Sequence, residues 1–346
     1  MHAYGVDYQG LKLLRSYLTN RYQRVRIDSF FSSWKQTTIG VPQGSILGPL
    51  FFNIFLNDLL FKNLRSTVCN FADDNTLYNC DESTENVIEN LKLDLKSVLE
   101  WFANNQMMAN PGKFQFMLLG KNQPLKLEIE GVKLESVKSV KLLGLEIDQK
   151  LTFASHISKL CATGSAKIKS LSRIRNALDE KQAKLLYNSF ILSQFNYCSI
   201  IWMFCNKTNY KKIEKIQKRG LRIVYNEPQM SLEELLNRDQ GLSVHCKHII
   251  TLLTEIYKTF AEENPHFMKD IFIQKEVRYN LRISNLLALP KTNTKKFGLY
   301  SFGFRATQLW NQLPDHIKNE ASTKLFKNKV KENWQDIKCS CCICRI

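Results

Sequence analysis

Hydrophobic residues along this chain follow two spacings, and the spacing switches from stretch to stretch. Leu11, Leu14, Tyr17 and Leu18 line one side of a predicted helix from about Gln9 to Asn20. Arg21 to Ile27 then alternates like a strand, with Trp34 to Ile39 as its antiparallel partner. Leu50, Phe51, Ile54, Phe55 and Leu59 predict an apolar helix. Thr67, Val68 and Phe71 on one side, and Thr76, Leu77 and Tyr78 on the other, suit two short strands. Asp73, Asp74 and Asn75 between them are turn residues, so the reading is a β-hairpin with two carboxylates at its tip. Val87, Ile88, Leu91, Leu95, Val98, Leu99 and Phe102 return to helical spacing, with Ser83 or Thr84 as N-cap. Phe114 to Leu119 reads as a strand, and Leu125 to Leu134 as a hairpin turning at Glu130-Gly131. From Phe153 to Phe204 the pattern predicts two long helices split near Asn176–Glu180. A third follows at about Thr208–Tyr225, and Ser231 to Phe260 is also helical.

Two stretches carry chemistry. The acidic hairpin places adjacent anions together, an arrangement tolerated best beside a cation, and hard oxygen ligands suit Mg²⁺. Upstream, Ile39-Gly40-Val41-Pro42-Gln43-Gly44-Ser45-Ile46-Leu47-Gly48-Pro49 concentrates Gly and Pro ahead of the apolar helix. Such a loop brings backbone close to a ligand, and Gln43 and Ser45 offer hydrogen bonds there. Gly40 to Asn53 followed by Phe71-Ala72-Asp73-Asp74 resembles the palm of a non-LTR (LINE-like, jockey-type) retrotransposon reverse transcriptase. The first stretch is similar to motif B of that family, and the second to the Ala variant of its metal-binding motif C.

That resemblance implies an α+β fold: a right-hand polymerase palm with an antiparallel sheet and packed helices, then a helical thumb and a mostly helical C-terminal extension. The implied boundaries are residues 1–150 for the palm, 151–230 for the thumb-like region and 231–346 for the extension. It implies an RNA-directed DNA polymerase transferring nucleotides to a primer 3′-OH with Mg²⁺ (or Mn²⁺). The implied partners are an RNA template, a DNA primer and deoxynucleoside triphosphates. Asp73 and Asp74 would be the catalytic metal ligands, Asp73 the main one. Pro42, Gln43 and Gly44 would line the template–nucleotide pocket. Asn110-Pro111-Gly112-Lys113 resembles motif D, which places Lys113 near the triphosphate. Ser139 to Asp148 resembles motif E, with Leu143 and Gly144 at the primer end.

One implied residue is missing from the pattern. The family carries a further metal-binding Asp upstream of motif B. Asp7 and Asp28 are the only acidic residues before Gly40, and neither lies in an apolar strand with an aromatic two or three places on. Both read as loop carboxylates in solvent. The expectation is an N-terminally truncated copy that binds Mg²⁺ poorly and polymerises little, because a two-metal displacement needs both ions held. A catalytically dead nucleic-acid-binding remnant is the alternative. A third reading is a relic that folds badly, with an open sheet edge.

Composition adds a partner class. In 346 residues, 49 Lys+Arg outnumber 32 Asp+Glu, a formal net charge of +17 that favours a polyanionic partner. The third helix concentrates this excess, and Lys211, Lys215, Lys218 and Arg222 are read as tracking duplex phosphates. The apolar run Leu185 to Phe204 is interrupted by polar residues, so no membrane span is expected. Met-His-Ala-Tyr-Gly lacks the layout of a signal peptide, and an intracellular place, in nucleus and cytoplasm, is expected. Ten cysteines then read as reduced thiols. Four crowd into the tail between Cys339 and Cys344, too compact a run to wrap one Zn²⁺ tetrahedrally, so zinc is not expected there. Trp310 and Trp334 lie among bases, where aromatics can stack on unpaired nucleotides, but both read first as core.

Overall fold

The computed structural model describes residues 1–120, 124–275 and 286–333. Helices and small antiparallel sheets are mixed, an α+β composition, and the chain divides into two compact units. Unit 1 holds Met1–Phe116 and Pro124–Ser136; unit 2 holds Met117–Gln123 and Val137–Ile346.

Unit 1 opens with helix α1 (Tyr8–Leu18), capped by Asp7, whose carboxylate accepts from the Gly10 amide at 2.7 Å. Strands β1 (Arg21–Gln23), β2 (Arg26–Ile27), β3 (Phe30–Phe31) and β4 (Lys35–Thr37) form one long, interrupted hairpin, β1 on β4 and β2 on β3. Helix α2 (Leu47–Leu60) leads to β5 (Thr67–Phe71) and β6 (Asp74–Tyr78), and then to α3 (Thr84–Asn104). Ser83 caps α3, accepting from the Asn86 amide. Leu56 and Leu59 of α2 meet Val98 and Trp101 of α3, with Leu77 of β6 packed alongside. This small core seats the acidic hairpin on two helices.

Strands β7 (Lys126–Ile129) and β8 (Val132–Glu135) form the expected hairpin, with Glu130 and Gly131 both left-handed at its turn. The strand expected over Phe114 to Leu119 does not form. Phe116 makes one isolated bridge to Ser136, and among the described residues no ladder extends from it. Among the described residues every sheet is two-stranded, so β5–β6 leaves both its edges unpaired.

Unit 2 begins with β9 (Ser139–Leu142) and β10 (Leu145–Asp148), the hairpin that the resemblance counts with the palm. Its last residue, Asp148, accepts from the amides of Lys150, Thr152 and Phe153 and from the Thr152 hydroxyl, which starts α4 (Ala154–Ile174). Partial burial pushes this carboxyl's pKa up, but the Thr152 and Phe153 donors outweigh that and hold it below its ordinary value.

The second long helix is broken into pieces. Helix α5 (Glu180–Leu186) starts from a capping box of Asp179 and Gln182, widens into a π turn over Tyr187–Leu192 and tightens to a 3₁₀ turn over Ser193–Phe195. Cys198 is then left-handed, and the short α6 (Ser199–Trp202) resumes. The break turns Trp202 into the core, where its indole donates to the Tyr197 carbonyl at 3.1 Å and its ring meets His248 edge-on at 5.0 Å.

Helix α7 (Lys207–Tyr225) packs along α4 and against the π turn, where a Cβ on Gly220 would lie 2.3 Å from the Tyr187 ring. The stretch from Ser231 to Phe260 is two helices, α8 (Leu232–Asp239) and α9 (Val244–Phe260), separated by left-handed Gln240. Helices α10 (Phe302–Asn311), α11 (Asp315–Lys318) and α12 (Thr323–Glu332) pack a second core onto α9. Trp310 belongs to that core, stacked on Phe326; Trp334 and the cysteine tail lie outside the described residues. No described helix is long and apolar enough to cross a membrane.

Candidate functional site

The β5–β6 ladder runs from Thr67↔Tyr78 to Phe71↔Asp74, so its two-residue turn is Ala72-Asp73. This corrects the expected turn of Asp73, Asp74 and Asn75: Asp74 and Asn75 already belong to β6. The ladder closes one residue further because Ala72 takes a left-handed φ of 51°. Both carboxylates are exposed, and among the described residues neither has an ion-pairing Lys or Arg. Val68 and Asn70 point inward and Thr67, Cys69 and Phe71 outward, the alternation of a half-covered strand. Behind the tip, the Asn70 amide and the Asn75 Oδ1 are buried without a protein partner.

Asp94, which the sequence pattern passed over, fixes the entry to this hairpin. It sits buried on α3 and accepts from the Arg65 amide at 3.2 Å and the Ser66 amide at 2.6 Å. A polar residue inside an apolar helix stripe was the signal, since a buried carboxylate needs donors.

In the Gly-Pro loop, Gly40 and Gly44 have φ of 78° and 80° with open space where a Cβ would be. Their requirement is conformational rather than steric. Ser45 is not free for a ligand: its hydroxyl donates to the Pro42 carbonyl at 2.8 Å and accepts from the Gly48 amide at 3.0 Å. Gln43 is exposed, and Pro42 half-buried. Arg21 anchors the loop, donating from Nη2 to the Gly40 carbonyl and from Nε to the Leu18 carbonyl. Lys113 ends a 3₁₀ turn that Asn110 caps through the Gly112 amide, and it is exposed.

Residues 1–147 match the family described as reverse transcriptase (RNA-dependent DNA polymerase). That likeness covers the stretch holding both the Gly-Pro loop and the acidic hairpin.

The relatives agree. The chain is 27% identical over 244 residues to a protein named "Probable RNA-directed DNA polymerase from transposon BS" of Drosophila melanogaster, an alignment covering 66% of this chain and 27% of that protein. It is 27% identical over 267 residues to the "RNA-directed DNA polymerase from mobile element jockey" of Drosophila funebris, covering 73% of this chain and 29% of that protein. The jockey polymerase of Drosophila melanogaster is 24% identical, over 66% of this chain and 26% of its own length. Two of these relatives are named as polymerases of the mobile element jockey, and it is to them that the chain is similar. The chain spans about a quarter of the length of these relatives. The alignments run longer than the matched stretch itself, so the likeness continues past it. No solved structure matches the chain.

The acidic hairpin, Pro42, Gln43, Gly44 and Lys113 belong to unit 1, and the remaining predicted site residues to unit 2. Leu143 and Gly144 form the left-handed turn of β9–β10. Tyr197 closes on that turn, its hydroxyl donating to the Leu143 carbonyl and its ring 3.6 Å from where a Gly144 Cβ would sit. On α7, Lys211 and Lys215 are exposed and Lys218 half-buried, none ion-paired among the described residues. Arg222 is engaged elsewhere, its guanidinium donating to the Met230 and Gln229 carbonyls. Lys212 and Arg219 reach across to α4, bonding Ser158 and Ser165.

Proposed function

We propose that residues 1–147 serve RNA-directed DNA synthesis as a polymerase palm, with the helices after Asp148 acting as a thumb that follows the template–primer duplex. The observation that carries this is the acidic hairpin of the stretch that matches the reverse transcriptase family, its two carboxylates solvent-facing and unpaired at a left-handed turn. Two hard-oxygen donors at one tip fit Mg²⁺, which takes one or two carboxylates and keeps several waters; Mn²⁺ fits equally. Asp73 and Asp74 would hold the ion, which supplies activation of the primer 3′-hydroxyl and neutralisation of phosphate charge.

The chain's own residues would do the rest. Gln43 and Gly44, with Pro42, would present amide and open backbone to the nucleotide. Lys113 would neutralise the departing pyrophosphate or give it a proton. Leu143 and Gly144 would support the primer end, and Lys211, Lys215, Lys218 and Arg222 the duplex backbone.

Among the described residues no group of three or more His, Cys, Asp or Glu side chains is placed to hold a metal. Two bridged ions need a further carboxylate, so the 346-residue chain alone is expected to bind Mn²⁺ weakly and to extend a primer feebly. Mn²⁺ titration by electron paramagnetic resonance should detect that site and lose it in Asp73→Asn/Asp74→Asn. Unchanged Mn²⁺ binding in that variant would remove the hairpin from the active site, and processive primer extension by the bare chain would refute the weak-site reading. A second reading, nucleic-acid binding without catalysis, draws on the unpaired lysines of α7. It is favoured if duplex binding is tight while extension stays at background with both divalent ions.

A further inference from the structure

The long hairpin of β1 to β4 exposes a row of rings and cations that neither the sequence reading nor the catalytic proposal uses. The Arg24 guanidinium carbon lies 4.0 Å from the Phe31 ring centroid and 4.7 Å from that of Trp34. Arg26 lies 5.4 Å from the same Phe31 ring. Trp34, Arg24, Phe31 and Arg26 therefore follow one another as alternating planar groups along the hairpin. None is buried: Trp34 is 60% and Phe31 50% exposed, while Phe30 reaches 79% and Tyr22 59%. The backbone beneath is tied by Ser32 and Val25, whose main chains bond at 3.0 Å while the Ser32 hydroxyl accepts from the Val25 amide at 2.9 Å.

The charge on this hairpin is one-sided. Arg21, Arg24, Arg26 and Lys35 face a single carboxylate, Asp28, at the β2–β3 turn. Arg26 bonds the Asp28 backbone carbonyl and Arg21 two carbonyls, which neutralises neither. Arg24 has no hydrogen-bond acceptor among the described residues, so its donors point outward with the rings. Large apolar rings exposed together on a soluble surface mark a recognition site. A purely apolar partner would leave these guanidinium charges desolvated and unpaired, at a cost. An acidic partner without flat faces would leave the rings in water.

From this we infer that the hairpin Arg21–Thr37 is a platform for unpaired nucleic acid, the bases stacking on Trp34 and Phe31 and the phosphates meeting Arg24 and Arg26. Every base has a π-face, so the site takes strand rather than sequence. A duplex hides its base faces and offers phosphates only.

The test uses the full 346-residue chain and labelled oligo(rU) and oligo(dT) of about 12 nucleotides, with a blunt duplex of equal length, read by fluorescence anisotropy in EDTA. Without divalent ions, the outcome does not depend on Asp73 or Asp74. Phe31→Ala/Trp34→Ala should weaken single-strand binding about tenfold or more while moving duplex binding less than about twofold. Phe31→Tyr/Trp34→Phe should restore it, since both keep a ring. Circular dichroism and sedimentation velocity accompany each variant. Unchanged single-strand affinity in a folded Ala variant would overturn the platform. So would an equal loss on duplex, which would mean charge alone, or conversion of a dimer to monomer with affinity intact, which would assign the rings to a second copy of the chain.

Discussion

The two units use the same helical periodicity and end up packed to different depths. In unit 2, Ile157 and Ile168 of α4, Ile213 of α7, Phe195, Trp202 and Tyr210 are all sealed from solvent. In unit 1 only a few side chains meet around Leu59 and Trp101, while Ile46 is 96% and Phe61 80% exposed. The acidic hairpin, the Gly-Pro loop and the ring-and-arginine hairpin all belong to the thinly packed unit. Thin burial leaves side chains free to meet a ligand, and it leaves less stabilisation holding them. Deep burial does the reverse, which is why unit 2 offers charges on a rigid helix face.

The largest expected effect tests whether unit 2 depends on one filled core. Trp202→Ala should cost about 3–5 kcal/mol, because the indole is fully buried and its cavity cannot collapse around the His248 ring. Chemical denaturation followed by far-ultraviolet circular dichroism should show the loss, and a shift under about 1 kcal/mol would contradict the packed core.

Unit 1 has its own keystone in a polar contact. Asp94→Ala should cost about 1–3 kcal/mol by leaving the Arg65 and Ser66 amides without an acceptor. Hydrogen exchange at those two amides should rise together, and unaltered protection would show that Asp94 does not hold the hairpin entry.

Acid should separate the units further. Burial pushes His245 down to about 4 and His248 to about 3, and His248 accepts from the Tyr210 hydroxyl while donating to the Phe195 carbonyl. Both rings are neutral in the fold and charge on unfolding, so their contribution is complete above the ordinary value of 6.5 and is lost as pH falls toward 4. Each should remove about 1.4 kcal/mol per pH unit within that window. A stability profile flat from pH 6.5 to 4.5 in His245→Phe and wild type alike would contradict this.

The smallest effect on stability is the sharpest on function. Lys211→Ala/Lys215→Ala removes two exposed cations and should change folding by less than about 0.5 kcal/mol. The salt dependence of duplex binding should become shallower by about 1 for each lysine. An unchanged slope would take α7 off the duplex.

Much of this was legible from the chain alone where local rules suffice. The Ser83 cap, the α3 stripe, the Glu130-Gly131 turn and the helix from Lys207 to Tyr225 all follow from short-range chemistry, and they appear where expected. The misses share a cause. The strand over Phe114 to Leu119 has strand-like residues, yet its one pairing is the isolated bridge of Phe116 to Ser136. The helix running into Phe204 has helical periodicity, but seating Trp202 against His248 demands a left-handed Cys198. Nothing in the spacing of Arg222 announces that its guanidinium also donates to the Gln229 and Met230 carbonyls. Tyr197 and Arg21, which steady two glycine-bearing turns, carry no motif at all.

Sequence by itself determined the family resemblance, the acidic pair, the glycine loop and the surplus of positive charge, because each is a property of residue type and spacing. Tertiary structure decided that Asp74 is a strand residue, that Ser45 is spent on its own loop and that Asp94 holds the way into the hairpin. It also brought Trp34, Arg24, Phe31 and Arg26 into one file. Such facts depend on which backbone donors and ring faces meet across the fold, and no local pattern encodes that meeting.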